Sequence, residues 1–294
     1  MARLTSKTVQ ILEMIKFSHT LFALPFALMG AALAVSKPGV VVSGIKPWVG
    51  ILICMVGARS AAMAFNRIVD RRIDAKNPRT ATRHIPSGVL STQSVAIFTV
   101  VSCSIFLAGT AMFLPENPWP LRLSSPVLLW LLGYSLAKRF TSLAHVWLGV
   151  ALGMAPAAAW VAFRGELSLT PVLLGLAVTF WVSGFDILYA CQDYDFDTKA
   201  GLHSIPARFG IGRSLKIASL LHLLMIFMLV GVGISMPLGW IYFGGVLVVA
   251  SLLVYEHSLV KPEDLSKVNV AFFQMNILIS MGLLCVTLAD LLIL

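Results

Sequence analysis

The sequence predicts an all-α integral membrane protein with about nine transmembrane helices, and three observations carry that prediction. Mean hydropathy is +0.89. Only 12% of the residues are charged, against roughly 25% in soluble domains. The apolar residues gather in runs close to the ~20 that a helix needs to cross the hydrocarbon, and short basic segments separate the runs. No part of the 294 residues reads as a soluble half, so the expectation is one polytopic domain over residues 1–294. A net charge of +9 would point to nucleic acid in a soluble chain. Here basic loops facing an anionic leaflet account for it, and nucleic acid is excluded as a partner.

Candidate spans fall near residues 17–36, 46–65, 92–114, 126–137, 143–163, 170–190, 214–234, 237–255 and 268–292. Before the first, "MARLTSKTVQILEMIKFSHT" mixes bases with an amphipathic pattern and reads as an interfacial lead-in. The "ALA" at 32–34 has the look of a cleavage site, but Glu13 and the long lead-in favour a retained first span. His19, at that span's entrance, reads as an interfacial histidine in preference to a catalytic base. The fourth span is the shortest, within "SSPVLLWLLGYSLAKRF". Cys54, Cys103, Cys191 and Cys285 have no metal or disulfide spacing and read as packing residues.

The bases orient the chain. With the N-terminus inside, inner segments carry seventeen of the 22 lysines and arginines, and outer segments carry four: Lys37, Lys46, Arg122 and Arg164. That asymmetry places the N-terminus in the cytoplasm and the C-terminus outside a cytoplasmic (inner) membrane. The remaining base, Arg59, falls inside a span.

A topology signal needs no acids, yet five of the thirteen cluster in two inner segments, about 66–90 and 191–213. Asn66, Asp70 and Asp74 recur every four residues. Continued as helix from the second span, they share one face. Asp193 and Asp197 repeat the spacing after the sixth span, with Asp195 on another side. Carboxylates four apart on a helix repel unless a cation sits between them. Oxygen ligands without His or Cys suit Mg2+, which binds a few carboxylates together with a substrate's phosphates. Arg67, Arg71, Arg72, Lys76, Arg79 and Arg83 are then placed to neutralise phosphate oxygens. The alternative is a set of helix-end charges in a solvated loop. "IPSGVLS" and "SIPARFG", which close the two segments, are a faint internal repeat.

These residues carry a resemblance. "NRIVDRRID" with the following "RTATRHIPSG" resembles the first aspartate-rich motif of the UbiA family of intramembrane prenyltransferases. "DILYACQDYDFDTKAGLHSIPARFG", residues 186–210, is similar to the second motif, and "YSLAKRFTSLAHVWLGVALGMAP", residues 134–156, to the basic turn between the middle helices. Many members have Asp directly after the motif asparagine, where this chain has Arg67. The resemblance implies a central cavity capped by the two Asp-rich loops at the cytoplasmic face. It implies Mg2+-dependent transfer of a polyprenyl group from its diphosphate to an aromatic acceptor, in quinone biosynthesis. Asp70, Asp74, Asp193 and Asp197 would be the catalytic metal-holding acids, with Asn66 as a neutral ligand. Arg67, Lys138, Arg139 and Lys199 would bind diphosphate oxygens. Tyr189 would steady the diphosphate or a ligating Asp, or else is a membrane-interface tyrosine.

Arg59 precedes Asn66 by seven residues, two turns deeper on the same face. A mid-span charge costs ~2.5 kcal/mol or more and faces a functional cavity as a rule. By the resemblance it pairs an acceptor carboxylate; Asp186 as a structural partner is the alternative. Asp186 itself would orient an acceptor hydroxyl or answer Arg59. Within the family, "KFSHTLFALPFALMG" is most similar to 4-hydroxybenzoate polyprenyltransferase-like bacterial members, some of which prenylate a dihydroxynaphthoate-type acid for menaquinone. The absence of a basic "DKP"-like turn leans toward the naphthoate, with 4-hydroxybenzoate close behind. Haem-, chlorophyll- or lipid-directed members suit Arg59 less well. A transporter is disfavoured because the acids crowd one membrane face instead of the midplane.

Overall fold

A computed structural model describes residues 7–16, 20–39, 44–268 and 274–293. Arg3, His19, the start of the first expected span and residues 269–273 of the last lie outside the described residues. Apart from one isolated bridge between Lys261 and Asp264, the regular structure described is helical. In chain order the helices are α1 (Lys7–Met14), α2 (Thr20–Ser36), α3 (Lys46–Asp74), α4 (Thr92–Ala111), α5 (Trp119–Ala137), α6 (Ala144–Arg164), α7 (Leu169–Ala190), α8 (Tyr194–Lys199), α9 (Ile205–Phe209), α10 (Ile211–Ser235), α11 (Trp240–Leu259) and α12 (Asn276–Ile293). Seven are long and apolar enough to cross a membrane: α3, α4, α6, α7 with its continuation to Lys199, α10, α11 and α12. Helices α2 and α5 stand at two further expected positions.

The fourth expected span is corrected by α5, which begins at Trp119 and not near residue 126. Pro120, Arg122 and Pro126 depress its hydropathy. Pro126 lies inside the helix without ending it. The internal similarity of "IPSGVLS" and "SIPARFG" does not extend to conformation, since His84–Leu90 form turns while Ile205–Phe209 form a helix.

The chain divides into two compact units, one formed by the residues up to Thr20 with Ile45–Leu136, the other by Leu21–Gly44 with Ala137 onward. In the first, α3 is 29 residues long, about 44 Å at 1.5 Å per residue. That exceeds the ~30 Å hydrocarbon, so α3 is long enough to cross a bilayer with about two turns to spare. Helix α4 packs closely along α3. A Cβ on Gly57 would stand 2.7 Å from the backbone nitrogen of Phe106, so this crossing requires glycine. Ser91 caps α4 by accepting from Ser94 N at 3.1 Å. Met14 and Ile15, at the end of α1, pack with Ala64, Leu90 and Val95, which docks the amphipathic lead-in against α3.

In the second unit, α7 is the central helix. Leu174, Ala177, Val178, Trp181, Val182 and Phe185 are all buried within one cluster, as expected of a helix apolar on every side. Gly149 of α6 lets that helix approach Thr179 and Ser183 of α7, where any larger residue would collide. At the far end of the unit Asp290, buried on α12, caps α11. Its two oxygens accept from Gly239 N at 2.7 Å and Tyr242 N at 3.0 Å, and its charge faces the positive end of the helix. Asp290→Ala strands those amides at a cost of about 1–3 kcal/mol and should lower the melting temperature in detergent. Asp290→Asn, which keeps an acceptor, should lose less. Equal losses in the two variants would argue against the cap.

Candidate active site

The acid ladder of the first motif lies on α3 itself. Asn66 Nδ2 donates to Asp70 Oδ2 at 2.8 Å, so the side chains four apart face one another as the helical period requires. Arg67 is buried and reaches Asn66 Oδ1 at 3.4 Å. One turn on, Asp74 is 5% exposed. Arg83 Nη1 donates to its Oδ1 at 2.7 Å, and Thr80 Oγ1 donates to its backbone carbonyl at 3.1 Å. The turn after α3 is thereby folded back onto the motif. Asp74 Oδ2 is buried with no hydrogen-bond partner.

The surroundings of the first motif are strongly positive. Burial, and then the guanidiniums of Arg67, Arg83 and Arg79, pull the Lys16 ammonium below its ordinary value. A cation held among three others marks a place where an anion is favoured. Sequence reasoning did not single out Lys16, because its position at the end of α1 says nothing of what α1 packs against. Within the same unit Arg59 has a buried Nε without a partner and no ion pair to a described carboxylate.

The second motif is built differently. Helix α7 tightens into a 3-10 turn over Cys191–Asp193 and resumes as α8. Asp193 and Asp197 are buried, 7% and 3% exposed, while Asp195 points out to solvent. The expected shared face is present despite the break. Asp197 receives a hydrogen bond from the Ser204 hydroxyl and feels the charge of Lys138. Ser204 caps α9 as well, accepting from Ala207 N at 3.2 Å. His203 N donates to Lys138 O at 2.8 Å, which ties the basic turn before α6 to the loop after α8. Lys138 is thus brought to the acids. Arg139 and Lys199 are exposed, and Tyr189 is half-buried against Val260 and Val268.

Asp197 Oδ2, like Asp74 Oδ2, is buried without a partner. A desolvated carboxylate oxygen with no donor is costly unless a cation completes it, so each motif fits a hard metal. Among the described residues no three His, Cys, Asp or Glu side chains form a ready-made cage.

Asp186, expected as an acceptor ligand or as a partner for Arg59, meets His145. His145 Nδ1 stands 2.6 Å from Asp186 Oδ2. A lone histidine in a span gives no sequence signal, since its meaning lies in a residue 41 positions away.

With the geometry of both motifs described, comparison with known proteins places the chain. The profile of the UbiA prenyltransferase family matches residues 23–278. The chain belongs to the UbiA prenyltransferase family. It is therefore an enzyme of the prenyltransferase type. It is 33% identical to a 4-hydroxybenzoate octaprenyltransferase of Vibrio parahaemolyticus over 248 residues, which cover 82% of this chain and 86% of that one. A UbiA homologue from Aeropyrum pernix K1, solved in the apo state, superposes with a TM-score of 0.83 at 31% identity, covering 93% of this chain and 98% of that chain. A UbiA homologue from Archaeoglobus fulgidus bound to DMAPP and Mg2+ shares the fold, with a TM-score of 0.69 at 19% identity over 97% of this chain and all of that one.

Proposed function

We propose that this UbiA-family enzyme transfers a polyprenyl group from polyprenyl diphosphate to a hydroxylated aromatic acid of the 4-hydroxybenzoate type, with Mg2+, in quinone biosynthesis. The observation that carries the reading is the pair of buried, half-satisfied carboxylates, Asp74 and Asp197, each at the end of a four-residue acid ladder. Asp70, Asp74, Asp193 and Asp197, with Asn66 as a neutral ligand, hold the metal against the substrate diphosphate. Arg67, Arg83 and Lys16 from the first motif's surroundings, and Lys138, Arg139 and Lys199 from the second's, neutralise the phosphate oxygens, while Tyr189 steadies that end. The UbiA homologue solved with DMAPP and Mg2+ supports the choice of metal.

Bound Mg2+ would supply positive charge to the departing diphosphate. Every other element is the chain's own. The cations preorganise the site for the charge that develops on the leaving group, so the allylic C–O bond ionises. Apolar spans exclude water from the carbocation. Arg59 pairs the carboxylate of the acceptor, and Asp186 faces its hydroxyl. The ring carbon beside that hydroxyl, the most electron-rich open position, captures the cation and then loses its proton.

In the same reading, residues 1–294 form one domain of nine spans in the inner membrane. The N-terminus and both Asp-rich segments lie on the cytoplasmic side, as seventeen inner bases against four outer ones support. The names of the similar curated relatives favour 4-hydroxybenzoate over the dihydroxynaphthoate toward which the sequence leaned. The deciding experiment incubates membranes with Mg2+, a polyprenyl diphosphate and each acid separately. Prenylated 4-hydroxybenzoate is expected, with none formed after chelation. Prenylation of the naphthoate alone would reassign the acceptor, and no diphosphate release with either would overturn the reading.

A further inference from the structure

We propose that Asp186 is the base that takes the ring proton of the acceptor after the new carbon–carbon bond forms, and that His145 is the positioning residue that makes it one. The inference deepens the prenyl-transfer reading and rests on it.

Asp186 lies in α7 among buried neighbours, with Phe185, Ile187 and Leu188 each 3% exposed or less. Its own side chain keeps 18% exposure. An ionisable group within a span faces the protein interior or a water-filled recess, and marks function more often than packing. It precedes by seven residues Asp193, which lies in the 3-10 turn that follows α7.

His145 is fully buried in the first turn of α6. Its Nε2 stands 3.3 Å from the backbone N–H of Ile205. An amide N–H can only donate, so Nε2 is the accepting nitrogen and the ring proton sits on Nδ1. Nδ1–H is therefore donated to Asp186 Oδ2 across 2.6 Å, a short charge-assisted bond. The tautomer follows from the partners alone. Oδ2 is thus occupied and the carboxylate plane is fixed, while Oδ1 accepts no hydrogen bond among the described residues. Ile205 follows Ser204, whose hydroxyl donates to Asp197. The segment that steadies a proposed metal ligand thereby also locks the tautomer that aims Asp186.

The chemistry requires such a group. A prenyl cation survives only where water is excluded, so bulk water cannot serve as the base for the proton that substitution releases. Capture of the cation forms the new C–C bond and leaves a cationic ring. Its C–H bond then breaks, the electron pair restores aromaticity, and the proton goes to Oδ1 of Asp186. No oxidant or further reactant is needed. The proton passes to water once product leaves. His145 does not itself relay a proton, because a second one on Nε2 would break the bond to Ile205.

The test uses the full chain in membranes with Mg2+, geranyl diphosphate and 4-hydroxybenzoate, protonated or deuterated beside the hydroxyl. Prenylated acid, prenyl alcohol and free diphosphate are all quantified. Wild type is expected to show no isotope effect, because bond formation limits the rate. Asp186→Asn should lose roughly 10²-fold or more of prenylation, acquire a primary isotope effect, and continue to release diphosphate as prenyl alcohol accumulates. His145→Ala should show the same three changes. His145→Asn, which keeps a donor near the Nδ1 position, should recover activity and lose the isotope effect. Slower variants with no isotope effect and an unchanged ratio of prenylated acid to alcohol would overturn the inference. Should His145→Ala fail to fold, the near-isosteric Asp186→Asn decides alone. Wild-type protein that releases no diphosphate overturns the prenyl-transfer reading and this inference together, whereas the isotope and product-ratio results bear on this inference only.

Discussion

Asp74→Asn and Asp197→Asn should each reduce prenyl transfer by at least about 10²-fold, the scale of losing one preorganised electrostatic contact to a transition state. Both changes are nearly isosteric, so packing is preserved and charge is what changes. At Asp74 one oxygen is held by Arg83 and the other is buried and open. At Asp197 the Ser204 hydroxyl engages the carboxylate, and Oδ2 is again buried and open. An amide in either place presents N–H hydrogens to a cation or removes its charge. The Mg2+ concentration for half-maximal activity should therefore rise in both variants, which a purely structural lesion would not cause. Asp195, on the exposed side of α8, is the matched control, and Asp195→Asn should stay close to wild type. A folded Asp197→Asn enzyme with most of its activity would remove that residue from the metal site.

These acids were legible because helical periodicity is a local property. Asn66, Asp70 and Asp74 sit four apart, and the Asn66–Asp70 bond at 2.8 Å is the direct consequence. The seven long apolar helices were legible for the same reason, since each run of hydropathy is continuous in sequence. The extent of α5 was not, because Pro120, Arg122 and Pro126 lower hydropathy without ending the helix. Nor were the contacts that join distant segments. His145 reads as a solitary histidine until α6 lies against α7. Lys16 reads as a topology charge until Met14 and Ile15 dock on Ala64 and set it among three arginines. Arg67, which replaces a family acid, was anomalous in sequence. In the fold it is buried beside Asn66, adding positive charge where the ladder alone would be negative.

Arg59→Leu should raise the KM for the aromatic acid by about 10- to 100-fold, the equivalent of losing one charge-assisted hydrogen bond of ~1.5–3 kcal/mol. The KM for prenyl diphosphate should stay near its wild-type value. Arg59 has a buried Nε with no partner, and its helix turn is two above Asn66. A guanidinium in that state is a standing cost to the folded protein, which the acceptor's carboxylate would offset. Leucine removes the cost, so the variant's melting temperature without acceptor should not fall. That outcome separates an acceptor ligand from a structural arginine, whose loss would lower stability and weaken both substrates alike. Arg59→Lys should be intermediate, because an ammonium keeps the charge but not the planar fork that matches a carboxylate. Methyl 4-hydroxybenzoate closes the cycle. Having no carboxylate to pair, it should be used about equally poorly by wild type and by Arg59→Leu, and the coupling between residue and carboxylate is then read from the four rates. If the ester discriminates between the two proteins as strongly as the acid does, Arg59 acts on something other than the acceptor's charge.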